Sequence, residues 1–301
     1  MRSTPLVFLE GPWKLAMGLR ALDPADWLWL DERWEEEVAE RRRLSRERRE
    51  LVYAALPGSE PACAELLETV IGWLVRHAPE RFTKRDRGIE IRSTGERSTL
   101  DAPEPLLAAG QLVQEDLLLL EAGPDGSYLL TAGHICFPLH WKLADKLGRS
   151  LRAIHDPVPA FGERLGTPTD RFFSALEVDR PVWRANWSLT SKAALCLPDR
   201  SDRLRELDPE SAGQRLWLRV ERQTLRRLPR SRAVVFAIKT RIHRLDEIAA
   251  DPAVAGALAA RIREMSDAMA EYKGLLAIRD SLASWLDARS IGAKELPTAL
   301  G

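Results

Sequence analysis

The sequence predicts an α+β fold built on one antiparallel sheet, with helices before, between and after its strands. Three observations carry this. Two short apolar runs flank Gly123-Pro124-Asp125-Gly126, three stretches of alternating apolar and polar residues cluster between 182 and 242, and helical periodicity fills the rest. Strands that cluster instead of alternating with helices disfavour a doubly wound α/β arrangement.

The elements follow in order. Asp23-Pro24 marks a start, and DERWEEEVAERRRLSRERREL repeats Trp34, Val38 and Leu44 with mixed charges at i, i+4 spacing, which predicts a solvated helix resting one face on the core. Pro57-Gly58-Ser59 ends it, and a second helix over 61–77 carries Leu66, Val70 and Leu74 on one stripe. Residues 80–105 are polar and irregular and read as a loop. A hairpin spans 116–137, helical periodicity returns over 141–155, and Thr167-Pro168 reads as the N-cap and first position of a further helix. The strands VWRANWSL, RLWLRVERQTL and AVVFAIKTRI come next, and Asp251-Pro252 opens an Ala- and Leu-rich helical tail to 286. Two strands, a helical block and three strands is the order of a PAS-like domain, whose antiparallel sheet closes a pocket against the intervening helices. The expected organisation is an N-terminal helical region (1–105), a PAS-like core (106–245) and a helical tail (246–301), integrated as one domain.

Composition narrows the function. The 45 basic and 45 acidic residues cancel, so no overall field attracts nucleic acid or an anionic membrane. No run approaches the ~20 apolar residues of a membrane span, and the apolar stretch before Glu10 is too short for a secretory signal. A cytoplasmic chain is expected, with neither nucleic acid nor membrane as partner. Cys63, Cys136 and Cys196 lack CxxC spacing, which argues against a disulfide framework, a zinc knuckle or an internal iron–sulfur cluster. Without CxxCH any haem would be non-covalent, and without a GxGxxG or Walker loop the chain shows no nucleotide site of its own.

His155 is the sharpest candidate for chemistry. It falls four residues after Leu151 in LGRSLRAIHDPVPAF, beside an apolar helical stripe that stops at Asp156-Pro157. An imidazole there is either tied up in a hydrogen bond or offers a nitrogen lone pair to something in the core. In RLWLRVERQTL the face of Leu216, Leu218 and Val220 continues to Arg222, a buried guanidinium needing an anionic partner, either a neighbouring carboxylate or that of a bound ligand. Glu221 points to the other face. Arg184, Asn186 and Ser188 form a polar strand face that reads as solvent-facing, with a pocket lining as the alternative. His134 and His140 flank Cys136, but their spacing across a proline matches no metal signature.

Several of these pieces together resemble the haem-dependent oxidative N-demethylase-like proteins. The stretches are MGL with WLWLDERW (17–34), HICFPLHWKLADKLGRSLRAIHDPVP (134–159), VWRANW (182–187) and ERQTLRRLPRSRAVVFAIKT (221–240), in the family's order and over most of the chain. The resemblance implies haem b in a PAS-like fold and a mono-oxygenase that removes a methyl group from a small secondary amine such as dimethylamine, using O2 and releasing formaldehyde. Electrons would come from a partner reductase with NADPH, flavin and an iron–sulfur cluster. It implies His155 as haem ligand, with His134 and His140 as alternatives, Arg222 at a haem propionate, and Glu221 holding the substrate ammonium. The second expectation, from another class, is a haem- or small-ligand-binding PAS-like sensor without turnover.

Overall fold

The chain's centre is a seven-stranded antiparallel sheet. In the computed structural model, which describes residues 3–290, the strands in chain order are β1 (Arg20–Ala21), β2 (Tyr53–Ala55), β3 (Phe82–Arg85), β4 (Gly88–Ile91), β5 (Arg97–Thr99), β6 (Asp116–Ala122), β7 (Tyr128–His134), β8 (Val182–Thr190), β9 (Trp217–Arg227) and β10 (Val234–Arg244). The large sheet runs β1-β8-β9-β10-β6-β7-β2, and β3-β4-β5 form a small separate sheet. The expected hairpin over 116–137 forms, and the last two strands pair as a second one. Gly126 turns the first with φ +79°, and Gly123 N–H closes it on Ser127 O at 2.7 Å. Leu228 N–H on Ala233 O, 2.8 Å, closes the second.

Both faces of this sheet are covered, which is why β6 reads as four consecutive leucines and not as an alternation. Leu117, Leu119, Ala132, Val235 and Ala237 pack one face against the helices Trp34–Glu47 and Glu60–His77. Leu118, Leu120, Leu130, Leu225 and Ile238 form the other face, against Leu143, Leu151, Phe173 and Leu176. The C-terminal helices close over Trp187, Leu189, Leu218 and Val220 at one end.

Several expectations are corrected. Residues 80–105 are no loop: buried Phe82, Ile89 and Ile91 anchor β3 and β4, strands of four residues that are too short to show a period. The helix expected over 141–155 shrinks to Leu151–His155, because Gly148 turns at φ +75° and donates its N–H to Leu130 O at 2.8 Å, tying the chain to the edge of β7. Thr167 is the first helical residue and not the cap, since a π-helical turn over Gly162–Gly166 runs straight into Thr167–Ala175. The tail is three helices, Pro252–Glu264, Asp267–Tyr272 and Arg279–Ser290, restarted at the Ser266 cap and broken at Gly274 with φ +73°. The helix Trp34–Glu47 does rest one face on the core as expected, and that face carries buried Glu37, Arg41 and Ser45 beside Trp34, Val38 and Leu44. Among the described residues no helix is long and apolar enough to cross a membrane.

Candidate functional site: a cavity with a histidine on its wall

On the second face of the sheet the side chains leave a cavity of about 560 Å³, within the range of ligand sites. Its floor is Leu118, Leu120, Leu130, Phe236 and Ile238, with Arg184, Asn186, Glu221 and Gln223 continuing it along β8 and β9. Residues 7–18 cross one side, Ile154 to Leu165 another, and Met269, Tyr272 and Lys273 a third. Most of the wall is apolar, and polar side chains enter it from β8 and β9, from the N-terminal segment and from the C-terminal helices.

His155 lies on this wall. Its helix has only five residues and is started by Ser150, whose side chain accepts from Ala153 N–H. The ring Nδ1 is 2.8 Å from Leu151 O. A carbonyl oxygen can only accept, so Nδ1 carries the hydrogen and Nε2 keeps a bare lone pair. The ring stacks on Phe161, with centroids 4.5 Å apart and planes 13° from parallel, which fixes its orientation. Burial, with the charges of Lys146 and Arg184, lowers its pKa and keeps the imidazole neutral.

Glu221 shares the cavity. Its Oε1 accepts from Arg219 Nε at 3.1 Å and its Oε2 from Gln223 Nε2 at 3.2 Å. Arg219 is itself buried and holds Leu195 O, so the pair is anchored to the strand. Three cations also line the space. Lys146 Nζ sits 4.3 Å from the centroid of Trp141, and Lys273 Nζ donates to Trp187 O at 2.7 Å on the part of β8 that β1 does not cover. Arg184, on the cavity wall, has a buried Nε with no hydrogen-bond partner.

The family model of the haem-dependent oxidative N-demethylase, alpha subunit-like proteins matches residues 18–283. The chain belongs to this family. Its name indicates dependence on haem, and the residues present fit such a group: an apolar cleft, one bare imidazole nitrogen and one unmet guanidinium donor.

Other expected site residues of this haem-dependent N-demethylase relative lie elsewhere. Arg222 is on the opposite face from Glu221, where its Nη1 and Nη2 donate to Trp27 O at 3.2 Å and Asp26 O at 2.6 Å and its guanidinium lies over Trp29. It does not line the cavity; two backbone carbonyls and an indole face surround its guanidinium, and its charge also reaches the buried carboxylate of Glu115. His134 is fully buried on that same far side. Its Nδ1 accepts from Arg41 Nη2 at 3.3 Å and its Nε2–H faces Ser45 Oγ at 2.9 Å, so both nitrogens are engaged. Cys136 lies beside it, its thiol pushed up to about 12 chiefly by burial. His140 is held by Asp202 at 2.6 Å, also off the cavity. Lys146 and Lys273 escaped the sequence reading because a lysine in a loop or at a helix end ordinarily marks solvent.

Proposed function

We propose that the cavity receives a non-covalent haem b whose iron His155 Nε2 would hold, and that the chain is the oxygenase component of an oxidative N-demethylase acting on a small secondary alkylamine, with dimethylamine as the simplest case. The neutral imidazole of His155, hydrogen-bonded at Nδ1 and bare at Nε2 on an apolar wall, carries the reading. Among the described residues no three His, Cys, Asp or Glu side chains gather into a metal site, so iron would be held by a macrocycle and one protein ligand. Two hairpin strands, a helical block and three further strands around the cavity support a PAS-like core.

When bound, haem supplies reductive activation of O2: with two electrons and two protons, an N-methyl group leaves as formaldehyde, the amine keeps hydrogen, and the second oxygen becomes water. The chain's own residues position the partners. Arg184, with its unpartnered donor on the cavity wall, would hold a haem propionate in place of Arg222. Glu221, oriented by Arg219 and Gln223, accepts the ammonium of the amine. Electrons come from a separate reductase carrying NADPH-fed flavin and an iron–sulfur cluster, in line with an alpha-subunit-like chain, and the setting is the cytoplasm.

A visible spectrum of the purified protein, reconstituted with haemin and titrated with dimethylamine, tests this. A Soret band that shifts with amine, and formaldehyde release under a chemical reductant, are expected. His155→Ala should lose the band or move it, with recovery on adding imidazole. Protein that takes up no haemin, or a His155→Ala spectrum identical to the parent, overturns the assignment.

A further inference from the structure

The polar end of the cavity is unbalanced in charge. Lys146, Arg184 and Lys273 all line it, and among the described residues none of them is in an ion pair. Glu10, the other carboxylate on the wall, is paired with Arg20, and Glu221, which faces these cations, is already paired with Arg219 at 3.1 Å. Its field reaches the ammonium groups of both lysines without closing on either. The two lysines are held by groups that leave their charge uncancelled: Trp141 and Trp187 offer indole faces at 4.3 and 5.2 Å, and Trp187 O accepts from Lys273. Burial, the largest cause, pushes each lysine down to about 8, with the field of Glu221 acting against it.

A dialkylammonium ion alone would be a further cation placed beside a carboxylate already surrounded by Arg219, Lys146 and Lys273, even with Arg184 given to a propionate. A substrate that brings its own negative charge meets the opposite situation. We infer that the amine processed here carries a carboxylate, so that Lys146 and Lys273 bind the carboxylate while Glu221 takes the ammonium of an N-methylated amino acid. This rests on the demethylase reading above and narrows its substrate class.

N-methylglycine and dimethylamine differ by that carboxylate and serve as the probes. Calorimetric titration of the haem-loaded protein should give N-methylglycine a Kd at least about ten-fold below that of dimethylamine. Lys146→Met and Lys273→Met, whose apolar stems keep the packing, should each erase most of that ratio, and Lys146→Arg should restore it. Equal affinities, tighter dimethylamine, or a ratio untouched by both methionine variants overturns the inference. Haem uptake is read separately from the Soret band. Colourless protein that still binds N-methylglycine, lysine-dependently, sinks the haem reading and keeps the carboxylate site; coloured protein without the preference does the reverse, and colourless protein that binds neither probe sinks both.

Discussion

Histidines 155 and 134 differ in one respect that decides what each can do: how many ring nitrogens are spoken for. His134 has both engaged, by Arg41 and Ser45, whereas His155 has only Nδ1 engaged. That difference was partly legible in the sequence, since the four-residue spacing that sets His155 beside Leu151 on a helix also carries Nδ1 to Leu151 O. Arg222 shows where legibility stops. Strand alternation places it opposite Glu221, and it is buried as that pattern requires, but in a sheet covered on both sides the alternation cannot say which face holds the cavity. The two arginines therefore separate under substitution. Arg184→Met should weaken haemin uptake, read from the Soret amplitude at limiting haemin, with little change in stability. Arg222→Met leaves Asp26 O and Trp27 O without this donor and should cost about 1–3 kcal/mol in urea unfolding with haemin affinity retained. The reverse pattern would return Arg222 to the propionate.

The helix that carries His155 is short for the position it has to hold. Five residues cannot sustain a helix on hydrogen bonding alone, so Leu151–His155 depends on its ends and its neighbours. Ser150 supplies the start, Leu151 is buried under the sheet, and the π-helical turn beyond Phe161 leads into Thr167–Ala175. That last helix is clamped by Arg227, whose Nε donates to Leu176 O at 2.6 Å and whose Nη2 donates to Tyr128 Oη at 2.8 Å and to Phe173 O. Strands β6 to β10 were readable because turn chemistry or alternation marks each, whereas β1 to β5, of two to four residues, are too short to show a period. The shortened helix was not readable either, because what ends it is a bond from Gly148 to a strand eighteen residues earlier. Ser150→Ala should cost about 1 kcal/mol of stability, and because Leu151 O orients His155, it should also broaden or shift the Soret band while leaving the far-ultraviolet spectrum unchanged. A variant as stable as the parent, with an identical band, would show that the cap does not position the ligand.

At the scale of the whole molecule the sheet divides two kinds of interior, one filled and one left open. On the filled side Arg41 donates to Gly110 O at 2.8 Å and to Asp116 at 2.7 Å, while Asp116 accepts from Cys136 and Phe137 N–H, so helix Trp34–Glu47, β6 and the end of β7 are joined through one buried network with His134 inside it. There is no slack: a methyl group at Gly110 would lie 1.9 Å from His134 Nδ1. A proton can therefore reach that nitrogen only when this interior opens. Burial, with Arg41 next in effect, holds the pKa of His134 well below 6.5, so below about pH 6.5 the unfolded chain binds a proton that the folded chain refuses. The unfolded state then gains protons first, and stability that is fully present above pH 6.5 is lost as pH falls, at up to about 1.4 kcal/mol per pH unit for this one group. His155 and His243, whose pKa values are also lowered chiefly by burial, act in the same direction, but both lie in less closed surroundings. Urea unfolding of the parent and of His134→Gln isolates the buried group. The parent should lose about 1 kcal/mol more than the variant between pH 6.5 and 5.5, on top of any constant difference between them. Parallel losses would mean that His134 takes its proton in the folded state, and the sealed network around Arg41 and Asp116 would have to admit a charge that its geometry leaves no room to solvate.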